Sequence, residues 1–422
     1  MQRRGIGIIG LGTVGGSVLE QLRTRKEALE RRGAPYEVVG VAVRDRTRAR
    51  PGVEPALFTT PEALATHPGV DVLVELAGGV EQPWEWVRAA LEAGKSVVTA
   101  NKALVAERAV ELAGVLAKCS GTLHIEAAVA GGIPIIQAVD RGLVANDVLR
   151  IEGILNGTCN YLLTSMERDG LDMEVALKTA QELGFAEADP TLDVGGGDAA
   201  HKLAILASLV LGRPIPSTGI FTQGIRDLTA FDVTWAREHG YRIKLLAIAQ
   251  VEGAEVELRV HPTLVRTTRL ISQVMDEFNA VEVEGDLTGP QLYYGRGAGA
   301  EPTASAVLSD IVHALRGEGP VRRNDTRGRD LRLRPMGEVV SRHYLHLEVI
   351  DRPGVVEGVA RALASQDISI ASLYQPETDH GAQVPLVFTT HPAADAQLSR
   401  ALETIRQAPY LATPPVHIRL ED

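Results

Sequence analysis

Cysteine is nearly absent: Cys119 and Cys159 are the only two in 422 residues. A disulfide framework and a cysteine-rich metal site are both excluded by that count. A basic footprint is missing as well, because 43 Lys and Arg face 54 Asp and Glu, for a net charge of -11. Broad nucleic-acid binding needs the opposite balance. No apolar run approaches the length that crosses a bilayer, so no membrane partner is expected. The opening MQRRGIGIIGLG sets basic residues before an apolar stretch, but glycines break it and no A-x-A cleavage pattern follows. A secretory leader does not look like that, and cytoplasmic residence is the expectation.

What remains is globular in composition, at 45% hydrophobic and 23% charged, and long enough for two or three domains. Residues 5–10 read as a buried strand that runs into Gly10-Leu11-Gly12-Thr13-Val14-Gly15, a G-x-G-x-x-G turn. A helix is predicted from about Val14 to Arg31 and a second strand over 37–44. That order makes the turn a dinucleotide signal: Gly10 for the tight bend, Gly12 for close approach of a pyrophosphate, Gly15 for helix–strand packing. The helix N-terminus then faces the phosphates. Further strands at 71–79, 95–102 and 122–132 alternate with helices at 84–93 and 103–118. The alternation predicts an α/β, Rossmann-type, doubly wound parallel sheet.

Ligands of such sheets gather at the carboxyl ends of the strands, which singles out Ala77-Gly78-Gly79 and the run Thr99-Ala100-Asn101-Lys102. Lys102 is either a cofactor or substrate contact or a solvated surface lysine. Nucleotide choice falls at the end of the second strand. Arg44 stands there, with Arg46 and Arg48 behind it, and arginine grips a 2′-phosphate through its fork. NADP is favoured, with NAD open.

The stretch Gly184–Lys202, GFAEADPTLDVGGGDAAHK, carries Glu187, Asp189, Asp193 and Asp198 around a triple glycine. Asp198 stands where a helix N-cap belongs, and Lys202 lies four residues on, one turn away on the same face. An acid and a lysine so held can do proton chemistry; a capped helix with a surface ion pair is the plainer alternative.

The domain layout expected is a nucleotide-binding domain at 1–133, a substrate-binding and dimerisation domain of α+β type at 134–320, a linker at 321–342 and a terminal unit at 343–422. A helix near 302–316 is expected to pack back on the first domain. The last 80 or so residues read β-α-β-β-α-β, the ferredoxin-like order, with the loop Asp351-Arg352-Pro353-Gly354 after the first strand. They are expected to form a separate, regulatory unit.

In GLGTVG, TANK, EGILNGTCNY, GFAEADP with DVGGGDAAHK, and GRGAGAEPTASAVLSDI, the chain resembles the homoserine dehydrogenase family over nearly all of 1–315, and its tail resembles ACT modules. The resemblance implies reversible NAD(P)H-linked reduction of L-aspartate 4-semialdehyde to L-homoserine, in threonine and methionine synthesis. It implies Lys202 as proton donor, Asp198 as the carboxylate beside it, Glu187 as the partner of the substrate ammonium, and Lys102 as reaching cofactor and reaction centre. Gly184 and Gly299 match cofactor-contact positions, and Thr13 and Val14 lie in the phosphate turn. A monovalent cation, Na or K, held largely by main-chain carbonyls, falls on Glu126, Val129, Gly131 and Ile133. The ACT resemblance implies feedback by L-threonine, with Asp351 and Gly354 as effector contacts. A homodimer or homotetramer is implied. A basic residue often precedes the family's catalytic lysine; His201 stands there in this chain, with no role assigned.

Two other readings stand beside it. An aspartate-semialdehyde dehydrogenase would need a nucleophilic cysteine, and neither Cys119 nor Cys159 has an evident histidine partner. A non-catalytic sensor of nucleotide and amino acid would have no use for an acid–lysine cluster.

Overall fold

Ile6, Ile8 and Ile9 are enclosed on both faces of their strand, which is what a central parallel strand demands. In the computed structural model, which describes residues 3–45, 54–319, 331–377 and 383–421, strand Arg4–Ile9 pairs in parallel with Tyr36–Ala42 and with Val72–Glu75. The sheet runs Phe58–Thr59, Tyr36–Ala42, Arg4–Ile9, Val72–Glu75, Ser96–Thr99, Thr122–His124. Strand order therefore reverses beside Arg4–Ile9, and the loops after that strand and after Val72–Glu75 flank the crevice. Arg46, Arg48 and residues 321–330 of the expected linker lie outside the described residues.

This sheet belongs to the first of two units, made of Met1–Leu149, Asp198–Ile220 and Phe278–Arg329. On one face Ile6, Val18, Leu22, Val74, Val307 and Ile311 share a core, so helix Ala300–Arg316 packs with helix Thr13–Thr24 against the strands. On the other face Ile9, Leu73, Val87, Leu91, Val97 and Leu104 do the same.

Three elements differ from expectation. The helix predicted from Val14 to Arg31 is two, Thr13–Thr24 and Lys26–Arg31, with a break at Arg25. Arg25 ties back to Gln21 through backbone and side chain, and beyond the break Leu29 enters the core. The helix at 103–118 likewise divides at Arg108. The strand expected over 122–132 stops at His124 and gives way to the 3₁₀ turn Glu126–Ala128. Ala130 and Gly131 then adopt positive φ, which no strand accommodates.

The second unit comprises Arg150–Gly197, Phe221–Glu277 and Asp330–Asp422. Its strands lie in the order Val148–Ile154, Tyr241–Glu252, Glu255–Arg266, Val416–Glu421, Val340–Ile350, Gln383–Thr390, Ile370–Tyr374. The tail by itself reads fourth, first, third, second strand, the ferredoxin-like arrangement, over a core that includes Leu347, Val359, Leu386, Phe388, Leu398 and Ile405.

The tail, expected as a separate unit, continues the sheet of the second unit. Its last strand pairs antiparallel with Val340–Ile350 on one side and in parallel with Glu255–Arg266 on the other, Arg419 opposite Thr263 and Glu421 opposite Val265. Ile418, Arg419 and Leu420 are all buried, as befits an interior strand rather than an edge. The tail has its own core but shares its sheet.

Buried charge runs through this unit. Lys244, on strand Tyr241–Glu252, is 1% exposed and donates to Asn160 Oδ1 at 3.0 Å and to the Val274 carbonyl. Burial lowers its pKa to about 7. A lysine whose folded pKa lies below its unfolded one binds fewer protons folded than unfolded in between. Its contribution is complete above about pH 10.4 and lost as pH falls towards 7. Stability is therefore expected to rise with pH across that window, by up to about 1.4 kcal/mol per pH unit from this group. Denaturant melts between pH 7 and 10 should show a shallower slope for Lys244→Met than for wild type; parallel slopes would refute the assignment.

Candidate active site

Gly10 and Gly15 are glycines by necessity. Gly10 has φ 93°, and a Cβ there would lie 2.6 Å from the Leu76 carbonyl oxygen. A Cβ on Gly15 would sit 2.1 Å from the oxygen of Gly10. Gly12 differs: a Cβ on it would meet nothing within 4 Å, so the turn presents open backbone there. Helix Thr13–Thr24 begins directly after, with no side-chain cap on its first amides, while Thr13 is exposed and Val14 half-buried. Uncapped helix amides beside open backbone are what a pyrophosphate requires. These residues fit a dinucleotide.

The strand ends beside the turn are locked by a side chain outside the set of sequence candidates, Glu75. Glu75, fully buried, accepts from the Ala77 amide at 2.8 Å and from Thr99 Oγ1 at 2.7 Å. Thr99 Oγ1 accepts in turn from the Asn101 amide at 3.0 Å. Asn101 donates to the Gly79 carbonyl at 2.6 Å and caps helix Lys102–Glu107 by accepting from Leu104 N at 3.1 Å. Burial pushes the Glu75 pKa up against these bonds. The clue in the sequence was an acid closing an apolar strand. The consequence is a fixed starting point for Lys102.

Lys102 Nζ lies 2.6 Å from Asp198 Oδ1, and Lys202 Nζ lies 2.7 Å from Asp198 Oδ2. The Asp198 side chain is 4% exposed, Lys202 11% and Lys102 39%, so the group is enclosed on the Lys202 side and open towards Lys102. Burial alone would raise the Asp198 pKa; the Lys202 and Lys102 charges overcome it and hold the carboxylate well below its usual range. Asp198 is not the N-cap expected. Helix Gly197–Leu211 begins one residue earlier, and Asp198 sits in its first turn with its oxygens turned to the two lysines. Two cationic donors fixed by one carboxylate can stabilise negative charge developing on a carbonyl oxygen and supply a proton to it.

The remaining sequence candidates are distributed as follows. Gly299, at φ 111°, precedes helix Ala300–Arg316 in the first unit. Arg44 is exposed just past strand Tyr36–Ala42 and has no partner among the described residues. Glu126 is buried, accepts from the Ile136 and Gln137 amides at 2.9 Å each, and its own amide donates to Asp310 Oδ2 at 2.8 Å. Its carboxylate thus clamps backbone, and burial lifts its pKa to about 7. The turn through Val129, Gly131 and Ile133 follows, its Ile133 carbonyl accepting from Ile135 N at 2.8 Å.

Gly184 and Glu187 belong to the second unit. Both are exposed, after helix Met173–Glu182, and the Glu187 carboxylate has no partner among the described residues. Asp189 and Asp193 are structural: Asp189 accepts from Thr191 N at 3.1 Å, and Asp193 accepts from Asn156 Nδ2 at 2.7 Å. Cys159 is fully buried with its Sγ on the Asp193 carbonyl, a poor situation for a nucleophile. In the tail, Asp351 and Gly354 line a cavity of about 310 Å³ with Arg352, Pro353, Val355 and Gln375.

Family models agree with this arrangement along the chain. One described as homoserine dehydrogenase matches residues 134–312, its NAD-binding domain matches 10–126, and the ACT domain matches 343–410. The Corynebacterium glutamicum homoserine dehydrogenase is 41% identical over 99% of this chain and 95% of its own length. This chain belongs to the homoserine dehydrogenase family. The homoserine dehydrogenase of Neisseria gonorrhoeae is 40% identical over 99% of the chain and 98% of its own. A crystal structure of a homoserine dehydrogenase from Thiobacillus denitrificans superposes with a TM-score of 0.91 at 42% identity, covering 100% of this chain and 99% of that one. Members of the homoserine dehydrogenase family are NAD(P)-dependent oxidoreductases acting on the CH–OH group of homoserine, and the dinucleotide turn and the Lys102–Asp198–Lys202 cluster both fall in the first unit.

Proposed function

We propose that the chain catalyses reversible reduction of L-aspartate 4-semialdehyde to L-homoserine, with NADPH preferred to NADH. The observation that carries the reading is the Lys102–Asp198–Lys202 cluster in the unit that holds the phosphate turn. The nicotinamide, when bound, supplies the hydride. Lys202 gives its proton to the aldehyde oxygen as negative charge grows there, and Asp198 fixes the ammonium in direction. Lys102 supplies a second positive charge on the more open side. Glu187 takes the substrate ammonium, supported by its exposed carboxylate, which has no partner among the described residues. Arg44 meets the 2′-phosphate, supported by its exposed position past the second strand.

A monovalent cation, Na or K, on the carbonyls of Glu126, Val129, Gly131 and Ile133 is part of the same reading, supported by the left-handed turn at Ala130 and Gly131. Assembly as a homodimer or homotetramer belongs to it too. L-Threonine is the proposed effector, with Asp351 taking its ammonium and the backbone near Gly354 its carboxylate.

One initial-rate experiment addresses the reading: aspartate semialdehyde with NADPH or NADH, with and without millimolar threonine. NADPH oxidation that threonine slows is expected; unchanged absorbance would sink the enzyme assignment, and equal rates with both cofactors the NADP preference. Asp351→Ala should raise the threonine concentration for half-inhibition about tenfold, an ammonium–carboxylate contact being worth about 1.4 kcal/mol, with basal turnover unchanged. Wild-type inhibition in that variant would move the effector elsewhere.

A further inference from the structure

His343, Asp395 and His417 bring two imidazoles and a carboxylate together, with one donor atom of each within 4.8 Å of the others. All three lie in the second unit. His343 comes from strand Val340–Ile350, Asp395 opens helix Asp395–Arg406, and His417 belongs to the last strand. No part of the reduction chemistry uses them. We propose that they form a binding site for a divalent transition metal of the zinc class, tying the last strand to the rest of the tail.

The tautomer of His343 is fixed by its surroundings. Its Nε2 faces the Ala393 carbonyl at 3.1 Å, an acceptor only, so Nε2 carries the hydrogen and Nδ1 presents a lone pair. Outer-ring donation to a carbonyl is the usual second contact of a metal-binding histidine. That bare Nδ1 lies 3.1 Å from His417 Nε2. Two imidazole nitrogens bound to one tetrahedral zinc at about 2.0–2.1 Å stand roughly 3.3 Å apart, so little movement is required. On metal binding the His417 proton leaves Nε2 for its other nitrogen.

Arg419 is the obvious objection, since it also contacts Asp395. Its Nε at 2.8 Å and its terminal nitrogen at 2.7 Å both fall on Oδ1. Oδ2 has no partner among the described residues and is the oxygen available to a cation. Arg419 then acts as the outer partner that orients a ligating carboxylate. Access exists as well: Asp395 and His417 line a cavity of about 280 Å³, and Asp227 and Glu403 in the same wall offset Arg406 and Arg419. Water from that cavity completes the coordination sphere.

The test uses the untagged full-length chain, stripped with chelator and titrated with Co²⁺. One equivalent should bind with visible d–d bands and a raised melting temperature, and Zn²⁺ should displace it. His417→Ala should weaken binding about 100-fold. X-ray absorption of the zinc-loaded wild type, which depends on no variant folding, should show two imidazole shells. No saturable Co²⁺ uptake, equal uptake by His417→Ala, or a shell without imidazole would each overturn the site.

Discussion

Lys202→Ala is expected to lower kcat by about 10²–10⁴-fold, the range that a positioned acid contributes, while the NAD(P)H cofactor binds as before. The variant should fold. Asp198 loses one of its two cations but keeps Lys102 at 2.6 Å, so no buried carboxylate is stranded. The phosphate turn is built from backbone at Gly10–Gly15 and does not involve Lys202. Lys202→Arg separates the two roles that a cation can play here. Arginine keeps the charge but gives up no proton near neutral pH, so it should be nearly as slow as the alanine variant if proton transfer is the role. Substantial rescue by arginine would make Lys202 an electrostatic anchor, and near-wild-type turnover in Lys202→Ala would remove it from catalysis altogether. The comparison is read as kcat against cofactor affinity, which distinguishes lost chemistry from lost binding.

Half of that cluster is legible in the chain because Asp198 and Lys202 are four residues apart, and helical geometry does the rest. Lys102 is not legible that way. Its approach to Asp198 depends on the Glu75–Thr99–Asn101 network at distant strand ends, and no local pattern announces it. The same contrast holds for the fold. Apolar strands separated by amphipathic helices specify the parallel sheet, because each segment encodes its own period. The breaks at Arg25 and Arg108 escape notice, since arginine is a good helix former. Buried Arg419, Arg259 and Lys244 pass for surface charge in sequence, yet each is 4% exposed or less. Charge in a strand signals burial only once its partners are known, and the partners here come from far along the chain.

Those partners make removal of the tail a severe change. A chain ending at 339 is expected to be insoluble, or to melt more than about 10 °C below wild type, rather than to be a desensitised enzyme. Truncation strips the partner strand from Thr263–Val265 and leaves Leu264 and Val265, both fully buried now, on an open edge. It takes Tyr344 and His346 from Asp232, each 2.8 Å away, beneath helix Ala230–Glu238. It takes Glu421 from Arg150 at 2.6 Å and from Arg259 at 2.7 Å. Removing one partner of a buried pair costs about 3–5 kcal/mol, against a total stability of about 5–15 kcal/mol. Glu152 and Glu257 retain some hold on the two arginines, so the losses are not fully additive, but two such breaks suffice. Solubility and thermal melting of the 1–339 chain decide the matter. A soluble protein with wild-type melting and turnover would mean that the shared strand contributes little, and the tail would then be an appendage as its sequence order first implies. If the truncated chain fails as expected, regulation has to be probed by point substitution at Asp351, where the cavity can be altered without opening the sheet.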